Sequence, residues 1–283
     1  MLGRYVQVDD KRVYLREWGE GPPILLLHGF PQTGECWNEV AARLGGSYRL
    51  IAPDAPGFGN SDPPDVSRPR DVAAIMVGLL DELELEQAVV VGHDWGGAFA
   101  FSMALEYPER VSHLVVTNSP FRKVDLLRAF HVPLLSFPVL PEVAFAITGG
   151  RLVSLILRAG SSNKEPFGDD KVSHYAAAYS SAHKVRPALR FYRESVRFAV
   201  MKKLRTLDPR AASVPIGRGA IEVPTLIVWG LADFVLPRSL MDGIEQHIPN
   251  VTIVDLPGCG HFVPEECPDG LADAIARFLQ PVS

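Results

Sequence analysis

Gly92-His93-Asp94-Trp95-Gly96-Gly97 follows the apolar run Ala88-Val89-Val90-Val91 and precedes helix-forming text over residues 98–107. Strand, glycine-bounded turn and helix in succession make the pattern Gly-x-nucleophile-x-Gly. The turn is so sharp that only small residues fit around the side chain at its tip. Here that side chain is Asp94. A plain strand-to-helix turn would use the same Asp only as a helix cap. Two further sites, correctly ordered in the chain, favour the nucleophile reading.

Outward from this turn the strand–helix rhythm repeats. Ile24-Leu25-Leu26-Leu27 is continuously apolar, as a strand buried on both faces must be. Residues 48–53, 114–117, 225–229 and 251–254 carry the same signature, and residues 35–44 and 70–83 read as helices between them. Near the start, residues 4–8 and 12–18 alternate apolar and polar around Asp9-Asp10, which predicts an antiparallel hairpin. The whole predicts a mostly parallel sheet with helices on both faces. The rhythm stops near Asn118, and from Phe121 to about Val214 no buried strand is readable; it resumes at Glu222-Val223-Pro224. That predicts a helical lid over the sheet's C-terminal edge, where open α/β sheets bind ligands. The expected division is core 1–121, lid 122–215 and core 216–283.

Composition excludes several classes. The chain has 283 residues, 47% hydrophobic and 22% charged, enough for one large α/β domain with an insertion. Net charge is −5 with Lys and Arg scattered, so no nucleic-acid partner is expected. Met1-Leu2-Gly3-Arg4-Tyr5 lacks the apolar run of a signal peptide. The apolar-rich stretch 130–157 is broken by Pro133, Pro138, Pro141, Glu142 and Arg151, so no membrane span is expected. Cys36, Cys259 and Cys267 make an odd count without metal-like spacing. They read as reduced, buried thiols in a cytoplasmic protein.

The residue at the turn selects the chemistry. An Asp carboxylate, with an ordinary pKa of about 3.9, is ionised at neutral pH without a base. Against a carboxylic ester its adduct would revert. Against saturated carbon bearing a leaving group it forms an alkyl ester, which water must hydrolyse. That step needs a base. His261, in Pro257-Gly258-Cys259-Gly260-His261-Phe262 after the last strand, is the candidate. Asp233, in Gly230-Leu231-Ala232-Asp233 after residues 225–229, is the candidate to orient it. In His28-Gly29-Phe30-Pro31, after residues 24–27, the backbone N–H of Phe30 would join that of Trp95 in an oxyanion hole. His28 reads as a structural residue beneath the loop.

Together Asp94-Trp95, His-Gly-Phe-Pro, Asp233 and His261 resemble the α/β-hydrolase-fold epoxide hydrolases over nearly the whole chain. The neighbouring haloalkane dehalogenases share the Asp nucleophile. The resemblance implies an α/β-hydrolase fold with an eight-stranded, mostly parallel sheet, flanking helices and an inserted helical lid. Dehalogenases hold the leaving halide with the Trp after the nucleophile and a second Trp or Asn. Trp95 suits the first role, but position 30 is Phe, and Trp18, Trp37, Trp95 and Trp229 leave none for the lid. Fluoroacetate-type dehalogenases are similar at His-Gly-Phe-Pro and share a lid His, but follow the nucleophile with an Arg that binds a carboxylate; Trp95 stands there instead.

Arg190-Phe191-Tyr192-Arg193 resembles the segment in which epoxide hydrolases keep a ring-opening tyrosine. Its usual partner is a second lid Tyr; a related branch uses a His, and Phe130-His131-Val132 resembles that stretch. His131 is the first candidate and Tyr175 and Tyr179 the alternatives. The expected activity is conversion of an apolar epoxide and water to a vicinal diol, with Trp95, Phe30 and Tyr192 against the substrate. No cofactor and no metal is implied, and a homodimer is an allowed assembly. The rivals are a haloalkane dehalogenase, revealed by halide release without diol, and a non-catalytic ligand-binding homologue, revealed by tight binding without product.

Overall fold

The computed structural model describes residues 3–122, 131–206, 216 and 219–280. Eight strands form one sheet in the order β1-β2-β4-β3-β5-β6-β7-β8. The hairpin is present: β1 (Arg4–Val8) pairs antiparallel with β2 (Lys11–Trp18), and β2 pairs antiparallel with β4. The remaining strands, β3 (Pro23–Leu27), β4 (Arg49–Pro53), β5 (Ala88–His93), β6 (Val111–Thr117), β7 (Thr225–Gly230) and β8 (Val251–Leu256), run parallel. The continuously apolar β3, β5 and β7 are buried throughout except for partly exposed Pro23, which is why their sequences show no alternation.

Helices α1 (Asn38–Leu44), α2 (Pro69–Glu82) and α3 (Trp95–Glu106) connect the first strands. Helix α3 begins three residues before the expected 98–107. Gly96 and Gly97 are poor helix formers, but a side chain at Gly96 would strike the Leu27 carbonyl and one at Gly97 would strike Ser119. Close packing of the helix on the sheet accounts for both glycines.

Between β6 and β7 the described residues hold α4 (His131–Ser136), α5 (Leu140–Thr148), α6 (Arg151–Gly160), α7 (Asp169–Ala178) and α8 (Ala182–Thr206). Phe130, part of the stretch that drew attention to His131, and residue 215, the expected end of the lid, lie outside the described residues. After β8 come α9 (Val263–Glu266) and α10 (Pro268–Leu279). No single described helix is long and apolar enough to cross a membrane.

The cysteine expectation requires correction. Cys259 and Cys267 are paired in a disulfide with Cα atoms 6.1 Å apart, and only Cys36 is free and buried. The chain doubles back through α9, bringing together two cysteines whose spacing of eight residues carries no periodic signal. The argument from reduced thiols to a reducing compartment therefore loses its support.

Candidate active site

Strand order places the site. Connections from β3 run outward to β4 on one side, while β5 opens the other side, so the chain reverses direction across the sheet between β3 and β5. Their carboxyl ends adjoin, with Leu27 paired to Gly92. Phe30 follows one and Asp94 the other, at the crevice where such sheets bind ligands.

Asp94 has φ 51° and ψ −119°, a conformation costly for a residue with a side chain. The packing around it enforces the turn: a side chain at Gly92 would strike Gly96, and one at Gly29 would overlap the Asp94 carboxylate. Ser119 Oγ donates to the Asp94 carbonyl at 2.7 Å. The Phe30 N–H donates to Asp94 Oδ2 at 3.0 Å, and the Trp95 N–H also bonds this carboxylate. Both expected oxyanion donors therefore bond the Asp94 carboxylate. Burial lifts the Asp94 carboxyl above its ordinary range, against the His261 charge and those two N–H groups.

His261 Nδ1 donates to Asp233 Oδ2 at 2.8 Å, and its Nε2 lies 4.0 Å from Asp94 Oδ1. Burial lowers its pKa, but Asp233 and Asp94 outweigh that and hold it at about 9. Asp233 is fixed from all sides. Its Oδ1 accepts the N–H groups of Val235 and Leu236 at 2.8 and 2.9 Å, and its Oδ2 accepts Asn118 Nδ2 at 2.7 Å. Burial opposes its charge, yet His261 and these donors hold its carboxyl below the ordinary range. His28 lies beneath the Phe30 loop, as expected: its Nε2 accepts the Ala55 N–H at 2.9 Å and its Nδ1 faces the Gly29 carbonyl.

Above these groups lies a cavity of about 470 Å³. Asp94, His261, Tyr192 and His131 supply its titratable groups; Phe30, Phe262 and aliphatic side chains of α4, α5 and α6 supply most of the rest. His131 and Tyr192 sit ring to ring, with centroids 6.2 Å apart and planes at 80°. Burial, with the nearby His261 charge, drops His131 to about 4, so it is neutral at neutral pH. Burial and the Asp94 charge push the Tyr192 phenol well up, against a hydrogen bond from Trp95. The Trp95 ring packs edge-on beneath Tyr192 at 5.2 Å and is not among the residues lining the cavity.

The alternatives to His131 face elsewhere. Tyr175 donates to Glu265 Oε1 at 2.9 Å and Tyr179 to the Gln32 carbonyl at 2.8 Å; neither lines the cavity. Tyr175, near the end of α7, and Tyr179, its C-cap, thus tie this helix to Glu265 and to the loop carrying Gln32. Three residues of the site escaped the sequence reading. Asn118, at φ 40°, fixes Asp233 while its Oδ1 accepts the Gly230 N–H at 2.8 Å. Glu142 takes both oxygens to Arg193 at 2.8 Å, joining α5 to the helix that carries Tyr192. Glu266 accepts backbone N–H groups on either side of His261. Only Asn118 left a sequence signal, as a polar residue just beyond a buried strand.

A carboxylate at an elbow, an imidazole–carboxylate pair beside it and two backbone N–H donors thus meet at the carboxyl ends of the parallel strands. The chain belongs to the family described as alpha/beta hydrolase fold, whose profile matches residues 22–268. Among curated relatives, haloalkane dehalogenase 2 of Mycobacterium tuberculosis is 30% identical over 96% of this chain and 93% of its own length. Epoxide hydrolase 3 of Xenopus tropicalis is 26% identical over 98% of this chain and 74% of its own length. Among solved structures, Cfl2 of Burkholderia cenocepacia matches 98% of this chain and 95% of its own with a TM-score of 0.85 and 29% identity.

Proposed function

We propose that this chain is an epoxide hydrolase that converts an apolar epoxide to a vicinal diol through an alkyl ester on Asp94. One observation carries the reading: Tyr192 and His131 line the same cavity as Asp94 and His261, and the remaining walls are mostly apolar. Division into core 1–121, lid 122–215 and core 216–283 belongs to the same proposal.

In the first step an Asp94 oxygen attacks one epoxide carbon and the C–O bond breaks. The developing alkoxide is far more basic than a phenolate, so Tyr192 protonates it despite its raised pKa. Neutral His131 can donate one N–H to the same oxygen. In the second step His261, its proton having passed through solvent to the Tyr192 phenolate, takes a proton from water, which attacks the ester carbonyl. The adduct then collapses, the bond from the Asp94 carbonyl carbon to the diol oxygen breaks, and His261 returns its proton to that oxygen. The N–H groups of Phe30 and Trp95 stabilise the tetrahedral oxyanion; one such donor is typically worth about 3 kcal/mol. Timing is built into the charges. Asp94 helps hold His261 protonated in the free enzyme. Esterification removes that negative charge, so the His261 pKa falls as a base becomes necessary.

A second reading, haloalkane dehalogenase, is favoured by the 30% identical mycobacterial relative. It requires two halide donors in the cavity. Among the described residues no Trp, Asn or Gln lines it, and Trp95 bonds Tyr192. Incubation with styrene oxide, 1,2-epoxyalkanes and 1-bromoalkanes separates the readings. Diol from an epoxide, with little halide from bromoalkanes, is expected. Halide release without any diol would reverse the assignment.

A further inference from the structure

The sequence Gly260-His261-Phe262-Val263-Pro264-Glu265-Glu266 ends in two adjacent carboxylates, neither used in the reaction above. Glu265 binds Tyr175, Lys171 and Gln32 and joins α7 to the core. Glu266 is turned toward the base. Its Oε1 accepts the Phe262 N–H at 2.9 Å, and its Oε2 accepts the Gly260 N–H at 3.2 Å. Those are the residues immediately before and after His261. Oε2 also accepts the N–H groups of Ser162 and Asn163 at 2.8 and 3.0 Å. Ser162 Oγ lies 2.8 Å from the same oxygen and 2.7 Å from the Gly258 carbonyl, so it donates to one or the other.

Ser162 and Asn163 lie between α6 and α7, over the sheet edge. The same segment touches the loop a second time, where the His261 N–H donates to the Gly160 carbonyl at 3.3 Å. Local sequence fits this clasp. A side chain at Gly260 would strike the Glu266 carboxylate and the Ser162 N–H, and one at Gly160 would strike the Phe262 ring. Hydrogen bonds to a carboxylate are about twice as strong as neutral ones. Without it, the buried N–H donors of Gly260 and Phe262 lose their acceptor, and the more exposed N–H groups of Ser162 and Asn163 lose the same tie.

We propose that Glu266 is the positioning residue for His261: one buried carboxylate holds the backbone on both sides of the base and ties it to the lid turn Ser162-Asn163. It touches neither substrate nor reacting atoms. Its consequence falls on ester hydrolysis, where the imidazole must direct a water, and not on alkylation, which proceeds without His261. The proposal rests on the two-step reading above.

The test compares full-length wild type, Glu266→Gln, Glu266→Ala and His261→Gln with an accepted epoxide. A misplacement of about 1 Å typically costs about 100-fold. Glu266→Ala should therefore lower kcat by roughly 30- to 100-fold and KM in proportion, leaving kcat/KM within threefold, while ester builds up on the Asp94 peptide. Glu266→Gln keeps one acceptor oxygen and should lose about tenfold, and it serves alone if the Ala variant does not fold. A brace without a positioning role would instead lower kcat and kcat/KM together, with no ester, and would overturn the proposal. A substrate-independent readout is the far-downfield proton resonance of His261 Nδ1–H on Asp233. It should shift or broaden in both Glu266 variants while their melting remains cooperative. An unmoved resonance would overturn the proposal. If His261→Gln builds no ester although wild type turns over, the covalent reading fails, and this resonance alone then decides the role of Glu266.

Discussion

Asp94 is held in a backbone conformation that costs about 1–3 kcal/mol, with its carboxylate already bonded by the donors proposed for the later oxyanion. The site is thus organised before substrate arrives. Its charges make stability depend on pH through His261. The folded pKa of about 9 lies above the ordinary value, so the unfolded chain binds the proton less tightly. The resulting stabilisation is fully present below about pH 6.5 and is lost as pH rises through about 9. Melting of wild type should fall over that window by on the order of a few kcal/mol more than melting of His261→Gln. Equal pH slopes would refute this coupling. Asp94, His261 and Phe30 were legible because each sits in a short glycine-bearing loop after a strand, fully buried for β5 and nearly so for β3, and partly exposed at the edge for β8. Asn118 was marked only as a polar residue beyond a strand, its partner Asp233 lying 115 residues away, and Glu266 left no mark because it bonds mainly backbone N–H groups, which carry no side-chain pattern.

The helix carrying Tyr192 shows why one motif needs three residues. Phe191 stacks on Phe58 at 5.2 Å and meets Trp95 at 5.6 Å, while Arg193 grips Glu142 of α5 and the Phe137 carbonyl. Tyr192 is left pointing into the cavity, beside His131. Glu142 is nearly fully buried, so Glu142→Ala leaves Arg193 without its carboxylate. The expected cost is about 2 kcal/mol, a melting drop of several degrees. A larger fractional loss of epoxide opening should accompany it as α8 shifts; unchanged opening would detach this ion pair from the site. Helical spacing predicted Tyr175 and Tyr179 on one helix face, but α7 ends at Ala178 and Tyr179 is its non-helical cap. The spacing carried no information on what either side chain meets, and both hydroxyls bond to the core instead of facing the cavity.

At the scale of the molecule, sheet order does most of the assembly. Reversal between β3 and β5 brings Phe30 to Asp94, and successive strands β6, β7 and β8 deliver Asn118, Asp233 and His261 in sequence along the edge. The inner strands β3, β5 and β7 were readable because burial on two faces leaves an uninterrupted apolar run, whereas β8, which shares the apolar signature, is a half-exposed edge strand. The Cys259–Cys267 pairing was not, because it depends on how α9 folds back beside the His261 loop. Alkylation after denaturation without reductant should label Cys36 alone; labelling of all three cysteines would contradict the disulfide.

The central claim is an ester on Asp94. The most direct measurement is the mass of the peptide containing Asp94 after His261→Gln has been incubated with an epoxide that wild type converts. An increase equal to the epoxide's mass, located on Asp94 by fragmentation, is the expected result. An unmodified Asp94 peptide, with wild type turning over the same epoxide, would contradict the account.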